Sequence, residues 1–280
     1  MAYKSPPEIA AAGVATGVSK SQLSWDRALV AGFMAGAYIA LAGLLAIVAS
    51  AGLNPATWGG VQTLITGAVF TLGLVLVVVA GSELLTGNMA MLPLAFLARR
   101  VNLGHMGRNF LFVLIGNLIG SVFVAYFLAV KTGVLGEAAP LARLTTIATG
   151  KAVTETDWQI FLRAVGCNWL VCLAVWMALG AEDIGGKVLA IFLPIMGFVA
   201  LGFDHVVANM FFLPAAIFAH VPGISWGDVL NNWVFALLGN FVGAVVFVAG
   251  AYWYLYVREA PAVAGQGVRE VPDSRARTAA

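Results

Sequence analysis

The chain has 280 residues, of which 61% are hydrophobic and only 10% are charged, and its mean hydropathy is +0.94. Soluble domains carry roughly 25% charged residues, so these values exclude an ordinary soluble domain and indicate an integral membrane protein. The net charge of +2 is too small to predict a nucleic-acid partner. At roughly 20 apolar residues for each crossing, the length suits about six spans joined by short loops.

The two ends of the chain differ in composition from its middle. Residues 1–25 include Lys4, Glu8 and Lys20 and contain no apolar stretch of the kind that a secretory signal needs. They predict a polar or interfacial N-terminal segment. A channel domain is predicted over 26–257, and a disordered cytoplasmic tail over 258–280, where the sequence becomes polar and rich in small residues.

Six apolar segments follow one another in the predicted channel domain, and two of them are interrupted. The uninterrupted ones are the first, third, fourth and sixth, at 28–49, 109–130, 158–179 and 226–257. The second runs over 61–80 and is broken at 81–88. The fifth runs over 187–201 and is broken at 202–209. A short apolar piece follows each break.

The two breaks resemble each other. The nine residues from Gly81 to Met89 share a Gly, a carboxylate, an Asn and a Met with the nine residues from Gly202 to Met210. A Gly-Asn-x-x-Gly motif also recurs at corresponding places in the third and sixth segments. Each half therefore holds three spans, and because three is odd, the second half enters the membrane from the opposite side. The sequence predicts an all-α membrane protein of six transmembrane helices in a 3+3 inverted repeat, with the second and fifth helices broken near the midplane.

The two repeats cover about 26–130 and 158–257. Lysine and arginine residues predict their orientation, because these residues are more frequent in cytoplasmic loops. With the N-terminus inside, the inner side holds most of them, and the outer side holds only Lys131, Arg143, Lys151 and Arg163. Both termini are therefore predicted to be cytoplasmic, in a multi-pass protein of the cell (inner) membrane.

A broken helix exposes backbone N–H groups and a positive dipole end, which favour anions. The short helices that follow the breaks are expected to begin near residues 89 and 210. Glu83 and Asp204 stand at corresponding positions and are predicted to accept hydrogen bonds from the exposed N–H groups, holding each loop. A proton relay or a cation site is the alternative for this pair.

Four further residues complete the predicted loop scaffold. Asn88 and Asn209 are interpreted as structural amides that close the two loops. Gly81 and Gly202 begin the breaks, where unusual backbone angles or a close approach are expected.

His205 has no counterpart in the first break, where Leu84 stands in its place. That asymmetry and the expected midplane position favour a functional residue over ordinary packing, because an ionisable group inside a membrane is costly. We expect His205 to supply a proton or a positive charge to a passing anion, and Thr86 to donate a hydrogen bond to it. Apolar constrictions are predicted among five residues, each of which could equally be packing or lipid-facing surface: Phe70, Leu74, Leu84, Phe198 and Val207.

These stretches together resemble the formate/nitrite transporter family. The resemblance covers about residues 28–256 and rests on the two breaks, on the run from Cys167 to Met177 and on the segment that begins at Gly116. It implies an aquaporin-like fold, a homopentamer with one pore in each protomer, and transport of small monovalent anions or their acids. The family's central His falls on His205, its first-loop Thr on Thr86, its vestibule Lys on Lys151 and its fourth-span Asn on Asn168.

One position departs from the pattern of the family, because Asp204 stands where the family usually has Glu. The forms of the first break and of the fourth segment resemble the nitrite branch more than the formate branch. Nitrite is therefore expected as the anion, with a proton as its companion and with formate, hydrosulfide and lactate as alternatives.

Two other classes of protein remain open. One is a membrane-embedded hydrolase or metalloenzyme that uses Asp204, His205 and Glu83, although the chain contains no HExxH motif. The other is a channel for a neutral solute, although neither break contains the Asn-Pro-Ala sequence of water and glycerol channels. The sequence therefore predicts a transporter that is not an enzyme and that needs no metal and no cofactor.

Overall fold

The computed structural model describes residues 3–259, which fold almost entirely into helices. Within these residues, twelve α-helices follow one another: α1 Pro6–Ser21, α2 Trp25–Ser50, α3 Pro55–Trp58, α4 Val61–Val75, α5 Leu85–Leu97, α6 Leu103–Phe123, α7 Ala138–Thr149, α8 Asp157–Gly180, α9 Ile184–Ala200, α10 Val206–Phe218, α11 Trp226–Ala244 and α12 Ala251–Tyr256. Four π-helical stretches extend or join them: Leu76–Gly81, Val124–Val130, Gly150–Thr154 and Val245–Gly250. Apart from its first two residues, the predicted tail at 258–280 lies outside the described residues.

Five helical stretches of the described chain are long and apolar enough to cross a membrane: Trp25–Ser50, Val61–Gly81, Leu103–Val130, Asp157–Gly180 and Trp226–Tyr256. They coincide with the first, second, third, fourth and sixth predicted segments. The predicted fifth segment corresponds to α9, whose 17 residues fall short of the roughly 20 that a full crossing requires. The protein is a multi-pass membrane protein in which α5, α9 and α10 are shorter apolar helices.

Glycines of the repeated Gly-Asn-x-x-Gly motif allow two helix pairs to pack closely. A Cβ atom added to Gly120 on α6 would overlap the carbonyl oxygen of Phe33 on α2. A Cβ atom added to Gly243 on α11 would likewise overlap the carbonyl oxygen of Val165 on α8. Small residues at such crossings let the two backbones approach one another, so the repeated motif fixes the same kind of helix pair in each half of the chain.

The helical backbone stops at both predicted breaks. The helical structure ends at Gly81 and resumes at Leu85, and in the second half it ends at Ala200 and resumes at Val206. The glycines have φ angles of 83° at Gly81 and 71° at Gly202, which confirms the unusual backbone angles expected there. Residues with a Cβ rarely adopt this left-handed region.

The short helices begin four residues earlier than the expected 89 and 210. The reason is side-chain capping from the Gly-Asn-x-x-Gly motifs. Asn117 Oδ1 accepts a hydrogen bond from the backbone N–H of Leu85, and Asn240 Oδ1 accepts one from that of Val206, each at 2.9 Å. These partners satisfy the first N–H of each helix, so Asn88 and Asn209 lie inside its first turn. The end of each short helix is therefore less open to an anion than the sequence predicted.

The N-terminal segment forms α1, a helix that packs against α5. A Cβ atom added to Gly17 would overlap the carbonyl oxygen of Met91 on α5. The backbone N–H and the hydroxyl of Ser5 both donate to Glu8 Oε2, at 2.7 and 2.6 Å, at the start of α1. This packing places Lys20, near the end of α1, beside the first break.

Candidate functional site

A contact between the two breaks lies at the centre of the site. Thr86 on α5 and His205 at the start of α10 are both buried, and Thr86 Oγ1 lies 2.8 Å from His205 Nε2. The backbone N–H of Ala208 donates a hydrogen bond to His205 Nδ1 at 3.1 Å. Because that N–H can only donate, Nδ1 carries no proton, and the neutral ring carries its proton on Nε2. His205 therefore donates to Thr86 Oγ1, which leaves the Thr86 hydroxyl hydrogen available to another acceptor.

This arrangement bears on the expectation that His205 carries a positive charge. A second proton would have to bind at Nδ1 and would displace the hydrogen bond from Ala208. His205 also serves as the N-cap of α10 through that same bond. In the observed arrangement His205 is a neutral donor toward Thr86.

Two cavities approach this contact from opposite ends. The first, of about 510 Å³, is lined by Lys20, Leu74, Glu83, Leu84 and other residues, and we call it the Lys20 vestibule. The second, of about 250 Å³, is lined by Phe70, Lys151, Glu155, Phe198, His205 and others, and we call it the Lys151 vestibule. Because Leu84 lines one vestibule and His205 the other, the Thr86–His205 contact lies between them.

Four of the five predicted constriction residues line these vestibules. Leu74 and Leu84 line the Lys20 vestibule, and Phe70 and Phe198 line the Lys151 vestibule. All four are at most 3% exposed. The Phe70 and Phe198 rings meet edge to face with centroids 5.9 Å apart, and the Phe198 ring lies at the same distance from the His205 ring.

Val207 differs from the prediction that it forms part of a constriction. Its side chain is fully buried in the packed core, and it is not among the residues that line either vestibule. Its carbonyl oxygen accepts a hydrogen bond from the Ser121 hydroxyl at 3.3 Å. Val207 is therefore a core residue of α10 and does not border either cavity.

Asn168 also differs from its predicted place in the substrate pathway. It is fully buried and lines neither vestibule. Its Nδ2 donates to the carbonyl oxygens of Thr86 at 3.1 Å and of Asn240 at 2.8 Å. Asn168 therefore positions the backbone that carries Thr86, and it touches the pathway only through that residue.

Each vestibule is lined by a lysine that is paired with a carboxylate. Lys151 Nζ lies 2.9 Å from Asp204 Oδ1, and Lys20 Nζ lies 2.8 Å from Glu83 Oε1. The Asp204 side chain is fully buried, whereas 12% of the Glu83 side chain is exposed. A buried carboxylate requires such a partner, because desolvation of an unpaired charge is unfavourable.

The predicted scaffold asparagines hold these carboxylates. Asn88 Nδ2 donates to Glu83 Oε2 at 2.7 Å and to Asn109 Oδ1 at 2.8 Å. In the second half, Asn209 Nδ2 donates to Asp204 Oδ1 at 2.9 Å and to Asn232 Oδ1 at 2.8 Å. Glu83 and Asp204 thus accept from lysine and asparagine side chains and not from the exposed backbone N–H groups that the sequence suggested.

Further asparagine bonds tie the lysines to the same network. Asn109 Nδ2 donates to the carbonyl oxygen of Lys20 at 2.9 Å, and Asn232 Nδ2 donates to that of Lys151 at 3.0 Å. The two halves of the chain therefore carry matching networks of a lysine, a carboxylate and two asparagines. The halves differ at the contact between them, where the second supplies His205 and the first supplies Thr86.

The sequence interpretation missed Lys20 as a site residue. A signal for it exists, because Lys20 lies five residues before α2 and Lys151 lies six residues before α8, and these helices open the two repeats. The separations between each lysine and its carboxylate differ, at 63 and 53 residues. A search for motifs at fixed spacing therefore fails to pair them.

A second missed pair lies in the Lys151 vestibule. The Arg163 guanidinium donates to Glu155 Oε1, and 8% of the Glu155 side chain is exposed. Burial, followed by the neighbouring Asp204 carboxyl, raises the pKa of Glu155 to about 7. Arg143 lines the same vestibule and donates from Nε to the Ser50 hydroxyl at 3.0 Å. No sequence motif connects these residues, which belong to separate segments.

The metalloenzyme alternative requires a group of metal-ligating side chains. Among residues 3–259, no three His, Cys, Asp or Glu side chains come together in a group that could hold a metal ion. His205 is already bonded at both ring nitrogens, to Thr86 and to Ala208.

Comparison with known proteins identifies relatives over nearly the whole chain. The model of the formate/nitrite transporter family matches residues 7–254. A probable formate transporter of Methanothermobacter thermautotrophicus is 45% identical over 92% of this chain and 98% of its own length. The nitrite transporter NirC of Salmonella typhimurium is 36% identical over 80% of this chain and 81% of its own length.

Two solved structures share the fold. A structure described as an FNT family ion channel superposes with a TM-score of 0.81 and 33% identity, covering 89% of this chain and 98% of the other. A pentameric formate channel with formate bound superposes with a TM-score of 0.73 and 30% identity, covering 83% of this chain and 97% of the other.

Proposed function

Because this chain belongs to the formate/nitrite transporter family, we propose that it is a channel for a small monovalent anion that crosses together with a proton. The observation that carries this proposal is the Thr86–His205 contact between two vestibules, each of which is lined by a lysine that is paired with a carboxylate. The lysines supply positive charge on both approaches, and the contact supplies hydrogen-bond donors between the two vestibules.

The apolar surroundings of the contact support passage as a neutral acid. A bare anion that moves between Leu84 on one side and Phe198 on the other loses its hydration, and the few donors present do not replace it. A proton bound to the anion removes most of that loss. The Thr86 hydroxyl, whose oxygen is engaged by His205, is oriented to donate to the carboxyl or nitrite oxygen as it passes.

The proton is best supplied from the vestibule together with the anion. Neutral His205 holds its single ring proton on Nε2, and giving up that proton would create an unfavourable anionic ring inside the membrane. A charged His205, which our sequence interpretation favoured, requires that the Ala208 bond be broken first. His205 can then assist in either of two ways: as a fixed donor through Thr86, or as a transient cation while an anion is bound beside it.

Formate is our first candidate for the anion, and nitrite is the second. The motifs of the first break and the fourth segment pointed to nitrite. The named relatives point the other way, since the probable formate transporter is 45% identical and the nitrite transporter is 36% identical to this chain. Both anions are small, planar and monovalent, so the same donor at Thr86 serves either.

The architecture that we propose is the 3+3 inverted repeat, with α4–α5 and α9–α10 each forming one broken span. The matching networks in the two halves support it. We further propose a homopentamer, as in the pentameric formate channel that shares the fold, with one pore in each protomer. We also propose that the protein lies in the cell (inner) membrane with both termini in the cytoplasm. The Lys20 vestibule then faces the cytoplasm and the Lys151 vestibule faces outward.

Uptake by proteoliposomes tests the proposal directly. Purified protein is reconstituted, and uptake of labelled formate and of nitrite is measured with and without a pH gradient, together with alkalinisation outside the vesicles. Saturable uptake that an inward proton gradient accelerates, with external alkalinisation, is expected. Uptake of glycerol or water by the proteoliposomes, with no uptake of formate or nitrite, would favour the neutral-solute channel and overturn the proposal.

A further inference from the structure

Two carboxyl groups, that of Glu155 in the lining of the Lys151 vestibule and that of Asp204 buried behind Lys151, each have one oxygen that is bonded and one that is not. Asp204 Oδ1 accepts from Lys151 Nζ and from Asn209 Nδ2. Glu155 Oε1 accepts from Arg163. The second oxygens, Asp204 Oδ2 and Glu155 Oε2, are both buried and have no hydrogen-bond partner. Buried acceptors without a partner are rare, because they lose their hydrogen bonds to water and this destabilises the folded state.

These two oxygens belong to neighbouring carboxyl groups, because Lys151, which bonds to Asp204, lines the same vestibule as Glu155. Two ionised carboxylates cannot bond to one another, because each only accepts. A single proton between them converts one carboxyl into a donor and satisfies both oxygens. Like-charge repulsion between two buried carboxylates favours the same outcome.

We propose that Glu155 and Asp204 share one proton at the mouth of the Lys151 vestibule, and that binding and release of this proton set the charge that the vestibule presents to an incoming anion. With the proton bound, the pair carries one negative charge. When the proton leaves to vestibule water, the pair carries two. The attraction for an anion is therefore stronger in the protonated state, so the vestibule admits anions more readily when its own side is acidic.

The other charged groups around the pair fix the sign of this effect. Lys151 and Arg163 bond to the pair, Arg143 on α7 lines the same vestibule, and neutral His205 lies at its inner end. From α11, the neighbouring Asn232 is uncharged. The three cations outnumber the pair by one charge when both carboxyls are ionised and by two when the proton is shared, so each proton bound adds one positive charge.

Glu155 is suited to this role by its position outside the repeat network. The matching pair in the other half, Lys20 with Glu83, has its second carboxylate oxygen occupied by Asn88, which donates to Glu83 Oε2. Asp204 receives both its bonds on one oxygen, which leaves the other free for Glu155. The pH-sensitive pair is therefore expected on one side of the membrane only. Burial and the neighbouring Asp204 carboxyl raise the pKa of Glu155 to about 7, which places the exchange near neutral pH.

The first test measures the shared proton directly and needs no transport. Infrared difference spectra of the reconstituted protein between about pH 8 and about pH 6 should contain the C=O band of a protonated carboxylic acid, because ordinary Asp and Glu are ionised over that range. The band should disappear in Glu155→Gln and persist in Glu137→Gln, which removes an exposed carboxylate at the start of α7. Absence of the band from the wild-type protein, or its persistence in Glu155→Gln, overturns the proposal.

The second test measures the consequence, and this part rests on the proposed anion transport. Glu155→Gln imitates the protonated pair, because the amide can donate to Asp204 Oδ2 and accept from Arg163. The measurement is exchange of labelled formate with equal pH on both sides of the membrane. The apparent affinity of Glu155→Gln for formate should equal that of the wild-type protein at about pH 6 and exceed it at about pH 8. A difference of about two- to fifteenfold is expected for one charge about 10 Å away at an effective dielectric of about 20–80.

The outcomes of the two tests separate the two proposals. If no anion exchanges in the wild-type protein, the proposed function fails, and the infrared band still decides whether the proton is shared. If anions exchange but the affinity ratio of Glu155→Gln to wild type is the same at both pH values, the charge-setting role is overturned. The Glu137→Gln protein should follow wild type in both measurements.

Discussion

Thr86 Oγ1 and His205 Nε2 are joined by a hydrogen bond of 2.8 Å, in which His205 donates and Thr86 accepts. The two residues are 119 positions apart in the chain and belong to different halves of it. Neither has a chemically similar residue at the corresponding position of the other half, where Val207 and Leu84 stand. The networks around them are alike in both halves and hold the breaks. The Thr86–His205 contact differs between the halves, which favours a role in substrate passage over a role in the scaffold.

Removing the Thr86 hydroxyl should impair transport and stability together. Thr86→Val keeps the shape of the side chain but leaves the buried Nε2–H of His205 without an acceptor, at a cost of about 1–3 kcal/mol. The passing anion also loses its donor. We expect slower formate uptake and a lower unfolding temperature in detergent. Thr86→Ser, which retains the hydroxyl, should recover most of both, and a Val variant with wild-type uptake would contradict the role of Thr86.

The close approach of α6 to α2 makes a second prediction. In Gly120→Ala, the new Cβ would overlap the Phe33 carbonyl oxygen, so the helices must separate. Overpacking of this kind is unfavourable by about 1–3 kcal/mol. Gly107→Ala on the same helix is the matched control, because its Cβ would meet no atom within 4 Å, and it should leave stability unchanged or raise it slightly. Equal unfolding temperatures for the two variants would contradict the packing interpretation.

The sequence predicted five of the six apolar segments as helices long enough to cross a membrane, whereas the predicted fifth segment forms the shorter helix α9. It also predicted unusual backbone angles or a close approach at Gly81 and Gly202, and the structure has the unusual angles without the close approach. The restart of each short helix was misplaced. Its N–H groups are capped by Asn117 and Asn240, which lie on other helices and which local sequence around the breaks does not reveal.

The sequence predicted the site residues that stand in or beside the two breaks, and the family resemblance added Lys151, which lines the second vestibule. His205 and Thr86 stand in the two repeated stretches, and the structure brings them into contact. Lys20 was missed because its contact to Glu83 depends on the packing of α1. Glu155 was missed for the same kind of reason, since its relation to Asp204 exists only after α8 packs beside the second break. Contacts between distant segments are set by tertiary packing, which spacing along the chain does not encode.

The two lysine–carboxylate pairs should differ in their importance for stability. Lys151→Gln leaves fully buried Asp204 without its cation, at a cost of about 3–5 kcal/mol for a broken buried pair. Lys20→Gln should be milder, because 12% of the Glu83 side chain is exposed to water and Asn88 still bonds to it. Unfolding in detergent should show the larger loss for Lys151→Gln. Lys131→Gln, which removes an exposed lysine, is the control and should change stability by less than about 0.5 kcal/mol.

The raised pKa of Glu155 gives stability a predictable dependence on pH. The folded protein holds the Glu155 proton up to about pH 7, whereas the unfolded chain releases it near the ordinary value of 4.5. The folded state therefore binds more protons between these values, and the free energy of unfolding falls as pH rises through this window. The contribution is complete below pH 4.5 and lost above about pH 7. Glu155→Gln should flatten this part of the profile, whereas an unchanged slope in that variant would contradict the assignment.

Substitution of His205 separates its role in the fold from its role in transport. His205→Asn retains a side-chain acceptor for the Ala208 N–H, because Asn is a favourable N-cap, so α10 should still form. The shorter side chain does not reach Thr86 as Nε2 does, and it cannot take up a proton. We expect formate to cross without its accompanying proton, or transport to be lost. His105→Asn, a change at an exposed position, should behave as wild type. The measurement is formate uptake in proteoliposomes together with external alkalinisation. If His205→Asn keeps both the flux and the proton stoichiometry of the wild-type protein, then His205 only caps α10 and the proton must cross by groups other than the imidazole.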